Sequence, residues 1–328
     1  MKIDITEYEK RYTFELESVT QLCGQNIIKK TYILESLRRY FSTYKYREEK
    51  NKWRDNVRVD DEVIGRKFFT IFSVNGISEI LMMIKWSKQS LMVEYVKQLM
   101  QKFDWQMHLR MINEELEEMF QMMNGDLSQL GDVELSYAMS DVWDMIQKSR
   151  VTGSNETLLE DKGNYELLLI FLNLIEEVIK ADPKKMLVII ENVDHLVSRK
   201  EYTDILSKLQ IIGMKYDVYF VLTTSIDGYV GCDKELCSGI TIFGNEDFQM
   251  PEFDEISKYI YENYPYNKRL SEKQLQNDLK KIIHRIGQKE FLCSVEENVV
   301  CKLINQLLML HEKWKYSENL AEIAFLKA

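Results

Sequence analysis

Residues 24–31 read Gly24-Gln25-Asn26-Ile27-Ile28-Lys29-Lys30-Thr31, one residue short of the phosphate-binding loop G-x-x-x-x-G-K-[ST]. Gly24 holds the opening glycine position, Lys30 the phosphate lysine and Thr31 the magnesium threonine, while Lys29 stands in place of the second glycine. Such a loop constrains the fold because it works only between a strand and a helix, with successive backbone N–H groups turned around a phosphate. Part of that turn needs positive φ, which glycine adopts freely. A lysine there adds a Cβ and a long side chain where the β-phosphate would sit. The string predicts a nucleotide-binding architecture with a degenerate nucleotide site, and turns the functional reading from ATPase towards scaffold.

The surrounding pattern fits a strand–loop–helix setting. Residues 13–23 and 68–74 read as strands, with a helix over 31–44 between them. Strands resume at 186–190, 218–222 and 240–243, separated by helices over 165–180 and 201–213, the first stopped by Asp182-Pro183. Continuous apolar runs of this kind suit parallel strands covered on both faces. A phosphate loop also needs a carboxylate at the end of a neighbouring strand to hold magnesium. Glu191 follows the 186–190 run, with Asp194 three residues on, and Val221-Leu222-Thr223-Thr224-Ser225 reads as a further polar-tipped strand. Glu191 in place of the usual Asp, together with Lys29, argues against hydrolysis. A working AAA or switch-type ATPase using Lys30 and Glu191 is the alternative, and the plain one is an ordinary helix start with Thr31 in water.

Between the two α/β segments the signature changes. Trp105, Leu109, Ile112, Leu116, Met119 and Met123 recur at heptad spacing up to Gly125. Met92, Val96, Leu99 and Phe103 carry the rhythm before it, and Leu135, Met139, Val142 and Ile146 after it. Eleven of the sixteen methionines fall between Met82 and Met145. They read either as the filling of that seam or as an adaptable binding groove. The expected fold is therefore α/β. A P-loop-NTPase-like parallel sheet with a degenerate nucleotide site spans 1–76 and 165–250, a long helical arm is inserted over 77–164, and a helical extension covers 251–328.

Charge is segregated along the chain. The net charge is −10, yet Lys29, Lys30, Arg38, Arg39, Lys45, Arg47, Lys50, Lys52, Arg54 and Arg58 face only Glu35, Glu48, Glu49 and Asp55 within 29–58, a local +6. Residues 111–144 hold nine acids and no lysine or arginine. A basic track amid acidic surfaces suits a binder of polyanions, and Tyr40, Tyr44, Tyr46 and Trp53 could stack on bases or sugars. A solvated charged loop over 45–58 fits the composition equally well, and Arg38-Arg39 also suits a helix carboxyl terminus. The acidic arm reads as a solvated face, a divalent-cation holder or a dock for a basic partner.

No apolar run approaches the roughly 20 residues of a membrane span, and Met1-Lys2-Ile3-Asp4-Ile5 lacks a signal sequence, so a cytoplasmic protein is expected. Five scattered cysteines suit reduced thiols. Cys232 and Cys237 lack the second pair of a zinc site, and no Asp, Glu and His cluster recurs at metal spacing, so no metal site, nuclease or integrase centre is expected.

The strings Leu22-Cys23-Gly24-Gln25-Asn26-Ile27-Ile28-Lys29-Lys30-Thr31 and Leu187-Val188-Ile189-Ile190-Glu191-Asn192-Val193-Asp194, in a split degenerate domain with a helical insertion, give the chain a likeness. It resembles, over essentially its whole length, the large subfamily of the type II-A CRISPR-associated Csn-two proteins. That resemblance implies a homotetrameric ring with a basic channel that binds ends of linear double-stranded DNA without sequence preference. It further implies a part in acquiring new spacers beside the adaptation integrase and the RNA-guided effector nuclease. Shorter relatives hold calcium on the helical insertion, so calcium is the one cofactor the resemblance suggests; no ligand residue in this longer arm corresponds. A pure protein-interaction scaffold remains a further alternative.

Overall fold

The computed structural model describes residues 1–7, 9–42, 56–87, 90–127, 135, 146, 149–265, 270–288 and 294–310. Two sheets organise it. In the smaller, β1 (Lys2–Glu7) pairs antiparallel with β2 (Lys10–Glu15) and with β4 (Val57–Val59). In the larger, β3 (Val19–Cys23), β5 (Thr70–Val74), β6 (Met186–Ile190), β7 (Val218–Thr223) and β8 (Ile240–Phe243) run parallel in the order β5-β6-β7-β3-β8. Antiparallel β9 (Asp247–Gln249) closes the edge beside β8. Every residue of β3, β6 and β8 is buried, as in strands covered on both faces; β6 is an unbroken apolar run, while β3 also buries Thr20 and Gln21 and β8 buries Thr241. The chain lays down β3, leaves for the far edge at β5, returns through β6 and β7, and then places β8 on the other side of β3. The carboxyl end of β3 is thus the point where the winding reverses, the place where open α/β sheets form a crevice.

Two details differ from the sequence reading. The run 13–23 is two strands, because β2 ends at Glu15 and belongs to the small sheet while β3 starts at Val19. The opening residues, read above only for a targeting signal, form β1, whose Ile3 and Ile5 are fully buried.

Helix α1 (Ile27–Phe41) begins at Asn26, whose side chain accepts the Lys29 N–H, and turns Ile33, Leu34, Leu37, Tyr40 and Phe41 inwards. These pack with Ile3, Ile5, Phe14, Leu22, Leu187, Ile189, Val221 and Phe243 in one core, where each such aliphatic contributes about 1.5–3 kcal/mol of burial.

The chain divides into two compact units, Met1–Val74 with Lys184–Ala328, and Asn75–Pro183. Among its described residues the second holds helices and no strand: α2 (Ile77–Ile84), α3 (Leu91–Met100), α4 (Phe103–Leu127) and α5 (Asn164–Ala181), with short 3₁₀ turns between α4 and α5. Helix α5, which the sequence reading assigns to the α/β segment, goes with this unit because it packs on α2 and α3. Eight of its residues, from Leu167 to Ile179, are buried. Helix α4 buries none, and it runs on through Gly125 to Leu127.

In the first unit, α6 (Arg199–Lys215) opens on a capping box, in which Ser198 accepts the Glu201 N–H and Glu201 accepts the Ser198 N–H. Helices α7 (Phe253–Asn263), α8 (Glu272–Ile282) and α9 (Val295–Leu307) pack Phe253, Ile256, Ile260, Leu275, Leu279, Val300 and Ile304 around Cys23, Ile240 and Ile242. The C-terminal helices are therefore a second core on the same sheet. Residues 311–328, the end of the extension expected over 251–328, lie outside the described residues.

Candidate functional site

The loop between β3 and α1 turns at Gly24, whose φ is +88°. A Cβ there would lie 2.3 Å from the Phe243 carbonyl oxygen, so backbone conformation and close approach both require glycine. Five of the amide groups around this turn are already engaged. Gly24 N–H donates to Nδ1 of His284 (3.1 Å), Asn26 N–H to the Phe243 carbonyl (3.1 Å), Ile27 N–H to the Gln25 carbonyl (2.9 Å) and Lys29 N–H to Oδ1 of Asn26 (3.1 Å). Lys30 N–H donates to the Asn26 carbonyl (3.2 Å).

The charged groups are spoken for as well. Lys29 does not extend into the phosphate position. Its ammonium turns to the β8–β9 turn, pairing with Asp247 at 2.7 Å and donating to the carbonyls of Gly244 (3.1 Å) and Asn245 (3.3 Å). The reason is local: Asp247 offers a charge-assisted partner within reach, which a lone ammonium over an empty loop lacks. Lys30 is 4% exposed and donates to the Thr224 carbonyl (2.9 Å) and Oγ of Ser225 (3.1 Å), and burial lowers its pKa. Thr31 is exposed. Glu191, at the end of β6, forms an ion pair with Arg38 of α1.

The segment after β7 holds this arrangement shut. Asp194 is buried and accepts the N–H groups of Ser225 (2.6 Å) and Ile226 (2.9 Å). Gln21, buried in β3, accepts the Gly231 N–H (2.7 Å) and donates to its carbonyl (3.0 Å). From the C-terminal helices, the Lys280 carbonyl accepts the Gly228 N–H (2.8 Å) and Arg285 pairs with Asp227 (2.6 Å). His284, 2% exposed, is pushed down to about 4, first by burial and then by the neighbouring Lys30 ammonium. Its Nδ1 is an acceptor, so the ring is neutral with the proton on Nε2. Cys23 is pushed up to about 11 by burial, which keeps it a thiol. A site so arranged holds itself together. It presents no basic group poised on an open crevice, and no cluster of metal-ligating residues occurs among the described residues.

Several of the basic residues proposed from sequence lie in or near this closed end. Arg38 bonds Ser73 (2.6 Å) and Glu35 (3.1 Å) besides Glu191, and Arg39 pairs with Glu35 at 2.8 Å. Arg58 is exposed on β4. Lys45, Arg47, Lys50, Lys52 and Arg54, with Tyr44, Tyr46 and Trp53, lie outside the described residues. Tyr40 is 2% exposed and gives its hydroxyl to the Ile64 carbonyl, so it is a core residue, not a stacking platform. Sequence reasoning missed His284 and Asp247, which meet the loop across 260 and 218 positions and carry no local signal.

The family model for CRISPR-associated protein Csn2, subfamily St, matches residues 5–322. The chain belongs to this family. Its fold is similar to that in a crystal structure of Stu0660 of Streptococcus thermophilus, with a TM-score of 0.89 and 21% identity over 100% of this chain and 99% of that one. At that identity the likeness speaks for the fold alone. No curated protein matches the chain. Family membership makes the protein CRISPR-associated. Among the described residues no helix is long and apolar enough to cross a membrane.

Proposed function

We propose that the chain is a non-catalytic protein that binds ends of linear double-stranded DNA without sequence preference, as a homotetrameric ring acting in CRISPR spacer acquisition. The observation that carries the non-catalytic part is the internal satisfaction of the loop after β3: His284 on the Gly24 N–H, Thr224 and Ser225 on Lys30, Arg38 on Glu191. A nucleotide would have to displace all three. The reversal of winding at β3, with Glu191 one strand beyond β7, supports descent from a P-loop fold whose nucleotide site has been filled by side chains.

The DNA part rests on family membership and on charge. A protein of net charge −10 binds duplex only where its bases converge, and 29–58 concentrates +6. With Lys29, Lys30, Arg38 and Arg39 engaged internally, the track assigns to Lys45, Arg47, Lys50, Lys52, Arg54 and Arg58. In this reading the cytoplasmic adaptation integrase and the RNA-guided effector nuclease are partners, and no resident cofactor is needed.

The test compares linear and covalently closed circular duplex of one sequence, with native mass measured alongside. Sequence-indifferent binding to linear duplex, weak on circles, by a species of four chains supports the ring. Equal affinity for circles removes threading over ends. Micromolar ATP binding abolished by Lys30→Ala would promote the ATPase alternative.

A further inference from the structure

Helix α4 has two sides of different character. Leu109, Asn113, Leu116, Phe120 and Asn124 recur at spacings of three and four and are half-buried, so they mark its sheltered side. Met107, Met111, Glu115, Glu118, Met122 and Asp126 recur at the same spacings on the opposite side, and every one of them is exposed. The three methionines are 47%, 55% and 75% exposed. Each leaves apolar surface in water that burial against a partner would remove. Glu115, Glu118 and Asp126 form no ion pair among the described residues, whereas the nearby Arg110 is held by Glu114 at 2.8 Å. This side therefore joins uncovered apolar side chains to carboxylates that lack a counter-charge.

We propose that the exposed side of α4 docks a basic amphipathic helix of a partner protein, its methionines taking the apolar side chains of that helix and its carboxylates the lysines or arginines. The inference goes beyond the DNA-binding reading and does not depend on it. Charge complementarity decides the occupant. Residues 111–144 contain nine acids and no lysine or arginine, so the stretch that follows α4 cannot supply the basic half. The same side of a second copy would set carboxylate against carboxylate. Nucleic acid and anionic lipid are repelled by that charge, and no cluster of metal-ligating residues occurs among the described residues. Methionine suits the task because its unbranched, polarizable side chain adapts to apolar shapes of different kinds. Spacing adds detail. Met107 and Met111 lie at one end and Met122 at the other, about 20 Å apart at the helical rise, with Glu115 and Glu118 between them. The complementary helix therefore carries apolar anchors about 13 residues apart, with basic side chains between.

The experiment titrates the full chain into a labelled helical peptide of about 18 residues, with leucines at both ends of one face and lysines between them. A peptide of the same composition in scrambled order is the comparison. The patterned peptide should bind at least about tenfold more tightly than the scrambled one. Met107→Gln/Met111→Gln/Met122→Gln leaves net charge unchanged and should weaken binding by about tenfold or more. Glu115→Gln/Glu118→Gln should weaken it and reduce its sensitivity to salt. Equal affinity for the two peptides, or a methionine variant that binds as the wild type does, overturns the proposal. A methionine variant of reduced native mass assigns this side to a second copy and likewise overturns it. One further measurement needs no variant. In the wild-type protein the patterned peptide should slow peroxide oxidation of Met107, Met111 and Met122 while leaving Met214, 70% exposed on α6, unaffected. Rates that the peptide does not change at any of the four would contradict the docking.

Discussion

The loop after β3 and helix α4 treat their most conspicuous residues in opposite ways. In the loop, residues whose chemistry suggests a ligand are engaged with their own chain: Lys30 with Thr224 and Ser225, Glu191 with Arg38, the Gly24 N–H with His284. In α4, residues whose chemistry suggests a core are left in water: Phe103 is 80% exposed, Met122 75% and Met119 56%, and no residue of the helix is buried. A polar motif that is internally satisfied contributes to stability, whereas an apolar seam left open costs free energy until a partner covers it. The fold thus satisfies its most recognisable motif internally and leaves the apolar residues of α4 exposed.

That contrast breaks first at Gly24. Replacement by Ala forces a Cβ into the Phe243 carbonyl at positive φ. Strain and overlap together should cost about 3 kcal/mol in urea unfolding. A cost under about 1 kcal/mol would mean the loop is free to rearrange, as an open ligand site is.

His284 gives the next largest effect. Its folded pKa is pushed down to about 4 from an ordinary 6.5, so the folded state favours the neutral ring. The stability it contributes is complete above about pH 6.5 and is lost as pH falls from there to about 4, an amount on the order of 3 kcal/mol. His284→Gln keeps an acceptor for the Gly24 N–H without titrating, and should flatten unfolding stability against pH across that window. An unchanged acid limb would place the ring outside the closed site.

Legibility in the sequence followed the range of the interactions. β6 was readable because five consecutive apolar residues have few ways to be buried, and β8 because its apolar residues are interrupted only by Thr241. The strand–loop–helix around Gly24 was readable for a similar local reason, whereas the reversal at β3 is a matter of strand order and was not. His284 was not, since its role exists only when α8 packs against the sheet and brings the residues that follow it to the loop. Tyr40 was read as a stacking residue because charged neighbours surround it in sequence, while the helix period turns it inward. Lys29 was expected to block the loop by its bulk; its side chain instead fastens the loop to the β8–β9 turn through Asp247.

The smallest effect on folding is expected in α4. Leu116→Asp removes an apolar side chain that is not buried in the single chain, so unfolding stability should change by about 0.5 kcal/mol or less. The same change should lower the native mass, because the seam through Ile112, Leu116 and Met119 then cannot bury itself against another chain. An unaltered oligomer would mean the seam is not a subunit contact.

The central claim, that the closed loop leaves a DNA-binding protein indifferent to nucleotide, is tested most directly by titrating a labelled linear duplex across salt with and without ATP and magnesium. The expected result is binding that falls steeply with salt, by about 0.9 in log–log slope for each phosphate engaged, with superimposable curves in the two conditions. A curve that shifts when ATP and magnesium are present, and ceases to shift in Lys30→Ala, would contradict it.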